Sequence, residues 1–411
     1  MMKGIALLLL IIHFTRSEWS TPVCIHSDSE LGISSGISLI SDSTSSRSTI
    51  LLSLFPKTKD AKANYGLRIH DKDSIKPFVV IDNEHDCTYG MLASEPDGKT
   101  VYSVASGVRS KSSSTVECDE GDVLGCSEIL FHESKDGGDT WSAPVMVDRS
   151  NSSDMVQRRG ANIIEMKNNA RIYVFYSRTE TFGKTTISYI TRPPDSMIFS
   201  READVASLSE SLVDYGVSAA ATVNNNSPLL HVGWVQGRNL MYTTSTNGIS
   251  WANPVILSTI NSLSQNMQAA QFISFRELPG TICSTYVTGD YKAVIRCGKG
   301  LLRTTTPVVI AESSAYVSAG ACKGKNKIAL AVRSVDESIR SFIFDMDNEK
   351  VTELPSPFGS KEFVYDFPQV SCENADNNSL YIKLVAYQRR EHKEYLTINK
   401  LQFNTNTNEQ I

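Results

Sequence analysis

The amino-acid sequence predicts an all-β fold built from a repeated unit, and three observations support this prediction. Short segments such as "RIYVFYS" and "KIALAVRS" alternate in character, are rich in β-branched and aromatic residues, and end at turn-forming residues. Segments with the period of a long helix are nearly absent. A segment that leads into a strand rich in valine and isoleucine also recurs along the chain.

The recurring segment sets the number and size of the repeats. Its six versions are "IKPFVVI" from Ile75, "WSAPVMV" from Trp141, "FSREADV" from Phe199, "WANPVIL" from Trp251, "TTTPVVI" from Thr304 and "LPSPF" from Leu354. They lie roughly 50 to 65 residues apart, which leaves room for about four short strands in each repeat. Repeats of this size, which bury their faces only against neighbouring repeats, are typical of a β-propeller. We therefore predict a six-bladed β-propeller.

The chain divides into three predicted segments. Residues 1–17 contain a lysine followed by eight apolar residues, the pattern of a secretory signal peptide. Residues 18–48 are rich in serine and are predicted to lead into the propeller, which occupies residues 49–411. Residues 50–82 are predicted to form a strand pair that closes the ring with the last blade. No later segment is long and apolar enough to span a membrane, so we expect a secreted, cell-surface or lumenal protein.

Composition and cysteine spacing limit the partners. The 40 basic and 45 acidic residues give a net charge of -5, and this lack of a basic field argues against a nucleic-acid partner. The eight cysteines fit an oxidising compartment, and none forms a Cys-x-x-Cys pair that would suggest structural zinc. The pairs Cys118/Cys126 and Cys283/Cys297 are close enough in sequence to clamp hairpins, while the pairing of the other four stays open. Sequons begin at Asn151, Asn225 and Asn377.

The segment "SKDGGDTWSAP", residues 134–144, is interpreted as a structural turn. A short aspartate side chain accepts backbone N–H groups in such turns, glycines adopt backbone angles closed to other residues, and a tryptophan fills the core between blades. The alternating acidic ligands of a calcium loop are missing. The residues predicted to build the turn are Ser134, Asp136, Gly138, Thr140 and Trp141. "TSTNGISW", residues 244–251, is a second copy without the aspartate.

The turn resembles the Asp-box of the sialidase superfamily, S-x-D-x-G-x-T-W, at every position. Residues 98–147 also resemble the first blade of sialidases and trans-sialidases, with a strand that ends in an arginine, a loop that carries aspartates, and then the box. The resemblance implies a six-bladed propeller of the sialidase type that acts on or binds sialylated glycans. It implies no metal and no organic cofactor.

Sialidase chemistry requires arginines that bind the sugar carboxylate, a tyrosine nucleophile assisted by a glutamate base, and an aspartate acid/base. The resemblance assigns these roles to Tyr365 as nucleophile, Asp119 as acid/base, and Arg109 and Arg340 as carboxylate ligands. The alternatives that remain open are Tyr316 for the nucleophile, Asp122 for the acid/base and Arg333 for the second ligand.

The sequence departs from the family pattern at three places. Where the family has its first arginine, this chain has Tyr89 and Gly90, and Arg68 resembles that arginine only locally. Gln268 and Tyr286 stand near the positions of the glutamate base and another arginine, and neither can perform those roles. Arg158 and Arg159 are substitute cations, of which only one can face the propeller axis because neighbours on a strand alternate.

Two functions from different classes follow. The first is a secreted exo-α-sialidase that hydrolyses or transfers terminal sialic acid by a retaining mechanism with a tyrosine nucleophile. The second is a catalytically degraded propeller that binds glycans or proteins as a lectin or adhesin. An extracellular scaffold that uses the same turns but has no sugar site is a third possibility.

Overall fold

The structure is a computed structural model. It describes residues 23–27, 31–33, 38–41, 48–56, 64–71, 74–82, 85–95, 99–109, 126–149, 157–166, 171–179, 184–193, 196, 198–208, 217–224, 227–260, 270–274, 278, 280–300, 302, 305–322, 325–358, 364–376, 379–390 and 393–404. For some strand residues in these ranges only the backbone is described. No helix in these ranges has the length and apolar character needed to cross a membrane.

The described chain consists of β-strands, which we group in chain order into seven units of about four strands. A first strand, β1 (Val23–Ser27), precedes unit 1. Unit 1 contains β2 (Leu31–Ile33), β3 (Ser38–Ser41), β4 (Ser48–Pro56), β5 (Asn64–Asp71), β6 (Ser74–Ile75) and β7 (Val79–Asp82). Unit 2 contains β8 (His85–Ser94), β9 (Val101–Arg109), β10 (Cys126–Ser134) and β11 (Val145–Arg149). Unit 3 contains β12 (Gln157–Met166), β13 (Arg171–Thr179), β14 (Thr185–Arg192) and β15 (Ala203–Leu208).

The remaining units repeat this plan. Unit 4 contains β16 (Ser218–Asn224), β17 (Ser227–Gln236), β18 (Asn239–Ser245) and β19 (Val255–Thr259). Unit 5 contains β20 (Ala270–Ser274), β21 (Thr281–Val287), β22 (Ala293–Lys299) and β23 (Val308–Ala311). Unit 6 contains β24 (Ser314–Cys322), β25 (Lys327–Ser334), β26 (Ile339–Asp345) and β27 (Lys350–Glu353). Unit 7 contains β28 (Val364–Asp376), β29 (Ser379–Arg390) and β30 (Lys393–Asn404).

Each unit is an antiparallel sheet, and the units form a propeller-like ring. Units 2 to 5 are separate four-stranded sheets, whereas units 6 and 7 join into one eight-stranded sheet through the parallel residue pair Cys322↔Cys372. The first strands of the units contact one another in chain order, from β3 through β8, β12, β16, β20 and β24 to β28, and β28 contacts β3 again. The fold class is therefore all-β, as predicted, with these seven strands innermost.

The prediction of six blades is not confirmed, because the described strands form seven units. The copies of the recurring segment lead into or follow the outermost strands of units 1 to 6, such as β7 after Ile75 and β11 after Trp141. Unit 7 has no copy because its fourth strand is β1, which pairs antiparallel with β30. A count of the segment therefore misses the unit that the two ends of the chain build together.

The first 82 residues also differ from their predicted organisation. Strands β1, β2 and β3 lie within residues 18–48, the segment predicted to be a lead-in. Strands β4 and β5 pair with each other and with β3 and β7 in unit 1, so residues 50–82 do not complete the last blade. The predicted signal peptide and the three sequons lie outside the described residues.

The core consists of hydrophobic clusters between neighbouring units. Within the described ranges seven clusters are present, and each is shared by two adjacent units around the ring. Ile50 of unit 1, for example, packs with Val385 and Ile398 of unit 7. Close packing at the centre restricts side-chain size: a Cβ atom on Gly320 of β24 would lie 2.7 Å from the carbonyl oxygen of Val370 on β28. Each unit is therefore stabilised by two neighbours rather than by a core of its own.

The turn at residues 134–141 joins the third and fourth strands of unit 2, and its hydrogen bonds explain its sequence. Asp136 accepts the Thr140 backbone N–H at 2.9 Å and the Thr140 hydroxyl at 2.6 Å, and the Ser134 hydroxyl donates to it at 2.8 Å. Gly138 donates to the Ser134 hydroxyl oxygen at 2.7 Å and has a φ of 96°. The Trp141 indole donates to the Gly138 carbonyl and packs on the cluster between units 1 and 2.

The second copy has the same architecture in unit 4. Asn247 accepts the backbone N–H groups of Ile249 and Ser250, each at 2.8 Å, and Gly248 donates to the Ser245 hydroxyl oxygen. Trp251 packs on the cluster between units 3 and 4. Both turns lie at the periphery of the ring, between the outer two strands of a unit, so their polar side chains hold the scaffold together.

Two disulfides lie in the described part of the chain. Cys283–Cys297, one of the expected pairs, joins directly opposed residues of β21 and β22 within unit 5. Cys322–Cys372 joins the innermost strands of units 6 and 7 and spans 50 residues of sequence. Cys118 lies outside the described residues, so its predicted pairing with Cys126 stays a prediction. The second bridge connects two units at the centre of the ring.

We expect Asp136→Ala to lower the free energy of unfolding by about 1 to 2 kcal/mol, because one backbone donor and two side-chain donors lose their acceptor. Burial opposes ionisation of this carboxylate, but the hydrogen bonds from Thr140 and Ser134 outweigh it and lower its pKa from 3.8 to about 2. A lowered pKa means that the ionised group stabilises the fold at neutral pH and that this contribution is lost as the pH falls towards 2.

Urea unfolding of wild type and variant between pH 7 and pH 2 tests this prediction. The matched control is Asp139→Ala in the same turn, whose carboxylate lies 3.0 Å from the ammonium of Lys76 on the surface and is expected to contribute less. Equal destabilisation by both variants at neutral pH would show that the turn is not held by Asp136.

We expect the double variant Cys322→Ala/Cys372→Ala to lower the free energy of unfolding by about 2 to 4 kcal/mol. The variant removes a covalent link between two innermost strands and increases the conformational entropy of the unfolded chain. Cys283→Ala/Cys297→Ala is the matched control, because it removes a bridge that closes only 14 residues within one unit. Urea unfolding without reductant measures both. A larger loss for the control would mean that the bridge between units is the less important one.

Candidate functional site

We call the ends of the units at which the innermost strands begin the upper rim. In an antiparallel unit the second strand ends there and the third begins there. Backbone hydrogen bonds connect units 4, 5 and 6 along this rim: Gly289 donates to Thr259 at 3.0 Å, Ser314 to Tyr291 at 2.7 Å, and Val335 to Ser313 at 2.8 Å. Because β24 and β28 run parallel, the rim continues into unit 7.

The topology brings most of the predicted site residues to the upper rim. Arg109 is the last residue of β9, and Tyr365 and Arg340 are the second residues of β28 and β26. The loop from β9 to β10 begins and ends at this rim and contains Asp119 and Asp122, which lie outside the described residues. The side chains of Arg109 and Tyr365 also lie outside the description, so their predicted roles stay predictions.

Arg340 is bound to a partner at the periphery of unit 6. Its Nε and Nη2 atoms each donate to a carboxylate oxygen of Glu353, both at 2.8 Å, and its guanidinium lies 5.1 Å from the centre of the Phe342 ring. The hydrogen bonds to Glu353 raise the pKa of Arg340, and those from Arg340 lower the pKa of Glu353. The pair joins the third and fourth strands of the unit, so the guanidinium is held two strands away from β24.

Arg333, the alternative arginine, is better placed. It lies near the end of β25 directly opposite Tyr316 of the innermost strand β24. Its Nη2 atom is 3.6 Å from Glu337, which belongs to the turn between β25 and β26. Arg333 therefore stands one strand closer to the axis than Arg340.

Tyr316, the alternative nucleophile, lacks the environment of a nucleophile. Its hydroxyl accepts a hydrogen bond from the Gln369 side-chain amide at 2.8 Å, across the boundary between units 6 and 7. Burial raises its pKa to about 12, and the bond from Gln369 only partly offsets this effect. An amide donor cannot take the proton from the hydroxyl, and a high pKa disfavours the phenolate. The geometry supports a structural role for Tyr316.

Tyr286, near the family's arginine position, belongs to the core. It is 1% exposed, packs in the cluster between units 4 and 5, and burial raises its pKa. Arg68 lies on β5, the third strand of unit 1, opposite Ile50. Arg158 and Arg159 lie on β12, the innermost strand of unit 3. The side chains of these three arginines and of Tyr89, and all of Gln268, lie outside the described residues.

Polar side chains of the innermost strands are used to connect units. Hydroxyl oxygens near the beginning of two innermost strands accept a backbone N–H from the next unit: Ser38 from Leu92 at 3.2 Å, and Ser218 from Phe272 at 3.0 Å. The Gln271 side-chain oxygen likewise accepts the Ala319 N–H at 2.8 Å. In the described residues no group of three His, Cys, Asp or Glu side chains could hold a metal ion. The described polar side chains at the centre therefore link neighbouring units to one another.

The upper rim instead presents an aromatic side chain that the sequence comparison missed. Tyr291, in the turn between β21 and β22, is 36% exposed and has a φ of 63°, which is unfavourable for a bulky residue. The Tyr291 N–H donates to Thr288, and its carbonyl accepts the Ser314 N–H of unit 6. Val335, 51% exposed, lies in the corresponding turn of unit 6. The signal in the sequence is "TGDYK", an aromatic residue at the tip of a hairpin.

Comparisons with known proteins show the fold. No family model and no curated protein match the chain. The structure is similar to the BP39L lectin from Burkholderia pseudomallei, with a TM-score of 0.59 and 11% identity over 88% of this chain and 97% of that one. It is also similar to a leech intramolecular trans-sialidase, with a TM-score of 0.50 and 11% identity over 87% of this chain and 83% of that one.

A third similar structure is a PL25 ulvan lyase, with a TM-score of 0.51 and 8% identity over 90% of this chain and 95% of that one. At such identities the similarity concerns the fold alone. A divergent relation to sialidases is compatible with it, and so is a relation to lectins.

Proposed function

We propose that this protein is a secreted propeller of sialidase-like fold that binds glycans, and that the glycan lies on the upper rim. The observation that carries the proposal is the bidentate ion pair between Arg340 and Glu353. A sugar carboxylate would have to displace Glu353 to use this arginine. In this proposal Arg340 therefore serves the scaffold and is not a ligand of a sugar carboxylate.

Tyr291 provides the contact that the proposal needs. The C–H faces of a sugar ring stack on aromatic rings, and a side chain fixed in position loses little conformational entropy on binding. The Tyr291 carbonyl accepts the N–H of Ser314 from unit 6 and its own N–H donates to Thr288, so the backbone that carries the ring is held in place before a ligand arrives. The three similar structures are a lectin, a trans-sialidase and a polysaccharide lyase, and this likeness supports a carbohydrate ligand. Sialylated glycans are the ligand class that the Asp-box resemblance favours.

Secretion is part of the proposal. The two disulfides of the described residues are typical of an oxidising compartment. The pattern of residues 1–17 supplies the route, and the glycans of cell surfaces and secreted proteins are then accessible.

A retaining sialidase is the second candidate, and one observation favours it. The end of β9 with Arg109, the two ends of the segment that carries Asp119 and the beginning of β28 with Tyr365 all lie at the upper rim. In this alternative Tyr365 attacks the anomeric carbon, Asp119 protonates the leaving group, and Arg109 with Arg333 or a displaced Arg340 binds the carboxylate.

We expect Tyr291→Ala to weaken glycan binding at least about tenfold, because a central aromatic contact typically contributes more than 1 kcal/mol. The measurement is calorimetric titration with a sialylated and a matched neutral oligosaccharide. Val309→Ala is the control, since Val309 is also exposed on unit 5 but lies on its outermost strand. Unchanged affinity of the Tyr291 variant would contradict the placement of the ligand.

We also expect no release of a fluorogenic group from an α-sialoside by the wild-type protein. The comparison is Tyr365→Phe, assayed beside it at equal concentration. Turnover by wild type that is lost in this variant, with unchanged folding, would replace the binding proposal by the sialidase alternative. Turnover that persists in the variant would indicate a contaminating enzyme.

A further inference from the structure

The turn between β17 and β18 brings an exposed cation to the upper rim, next to the turn that carries Tyr291. β17 is the second strand of unit 4 and ends at this rim, and residues 237 and 238 connect it to β18. Gly237 has a φ of 60°, which glycine adopts without the steric cost of a side chain. Arg238 follows it and is exposed. The tight turn therefore presents the arginine side chain to solvent.

Backbone contacts connect the Arg238 turn of unit 4 to the Tyr291 turn of unit 5. The Ile260 N–H donates to the Arg238 carbonyl at 2.8 Å, and Ile260 forms an antiparallel bridge with Thr288. The Tyr291 N–H in turn donates to the Thr288 carbonyl at 3.0 Å. The two turns are therefore fixed relative to each other, and only Ile260 and Thr288 lie between them in this series of contacts.

The surface between the two turns carries little side-chain bulk. Thr259 and Gly289, the neighbours of the bridged residues, are both exposed, and the Gly289 N–H donates to the Thr259 carbonyl at 3.0 Å. A Cβ atom on Gly289 would meet no atom closer than the Thr259 methyl group, at 3.7 Å. The packing of the fold therefore does not require a glycine here. Its absent side chain leaves room for a ligand that extends from Tyr291 towards Arg238.

Arg238 differs from the neighbouring cations of the rim in its partners. The described basic residues at the upper rim of units 5 and 6 each have a carboxylate within ion-pair distance: Lys292 has Asp290 at 2.9 Å, Arg333 has Glu337 at 3.6 Å, and Arg340 has Glu353 at 2.8 Å. No described residue forms an ion pair or a hydrogen bond with the guanidinium of Arg238. An anionic group of a ligand can therefore bind Arg238 without displacing a described carboxylate.

The acidic residue of the Tyr291 turn does not oppose such a ligand. Hydrogen bonds from Thr288 and Lys292 lower the pKa of Asp290, so this carboxylate is ionised at neutral pH. Its negative charge is compensated by the ammonium of Lys292, to which it is bonded. The charge that remains available to a ligand lying across the two turns is therefore the positive charge of Arg238.

We propose that Arg238 determines the specificity of the glycan site, binding the acidic group of one sugar while Tyr291 stacks on a neighbouring ring. This inference rests on the proposed binding of glycans at the upper rim. A guanidinium presents a planar set of N–H donors that matches the oxygens of a carboxylate or a sulfate ester. The ligand lies across Thr259 and Gly289. A neutral glycan uses the contact with Tyr291 alone and binds more weakly.

The test is calorimetric titration of the full chain with three matched oligosaccharides, which end in sialic acid, in sulfated galactose or in unmodified galactose. We expect at least one acidic ligand to bind about fivefold more tightly than the neutral one, the effect of one exposed ion pair. Tighter binding of the sialylated ligand alone would identify a carboxylate site, and of the sulfated ligand alone a sulfate site. Equal affinities would overturn this inference but leave the proposed glycan binding intact, whereas no binding of any ligand would overturn both.

Variants connect the preference to the two turns. Arg238→Gln should abolish the preference for the acidic ligand and leave the affinity for the neutral one unchanged, because the contact with Tyr291 remains. The matched control is Arg201→Gln, a change to an exposed arginine between β14 and β15 at the opposite end of unit 3, which should retain the preference. A preference that persists in Arg238→Gln would overturn the proposal.

A substitution at Gly289 tests the path of the ligand between the turns. Gly289→Gln adds a long side chain at a position where a Cβ atom fits without a clash, so the variant should fold. We expect it to weaken the binding of acidic and neutral ligands alike, about tenfold, because the added side chain occupies the surface beside Tyr291. Unchanged affinities would mean that the ligand does not cross this surface and would overturn the proposal.

Discussion

The pairing of β1 with β30 is the contact on which the rest of the ring depends, because every unit buries its faces only against its two neighbours. If the ring were open, unit 1 and unit 7 would each expose an apolar face, which in the closed ring is covered by the cluster around Ile50 and Val385. The N-terminal strand completes unit 7 and thereby joins the two ends of the chain. Loss of this strand would leave the edge of β30 without a partner.

Closure also explains how the centre of the molecule is used. Seven strands that converge on one axis require small residues, as Gly320 shows, and they leave their polar side chains to bond across unit boundaries, as Ser38, Ser218 and Gln271 do. These three side chains of the axis therefore serve to connect neighbouring units. Ligand contacts are displaced outwards, to the upper rim for the proposed glycan.

The sequence was sufficient to predict the all-β fold class, the outermost strands and the hydrogen-bonded turns, because these features depend on local patterns. The turn around Asp136 and the bridge Cys283–Cys297 are examples, since their partners lie within 14 residues of one another. The number of units was not predictable in this way, because unit 7 takes its fourth strand from the opposite end of the chain. The partner of Arg340 was not predicted although Glu353 lies only 13 residues away, because only the register of β26 against β27 places the two side chains beside each other.

The closed ring requires that Val23–Ser27 is a strand of unit 7. Hydrogen–deuterium exchange of the native protein, read by mass spectrometry on peptides that cover this segment, tests it most directly. We predict that its amides exchange slowly, at rates comparable with those of β30, because they are hydrogen-bonded in the ring. Exchange at the rate of an unstructured chain, with β30 protected, would contradict the closure and with it the seven-unit ring.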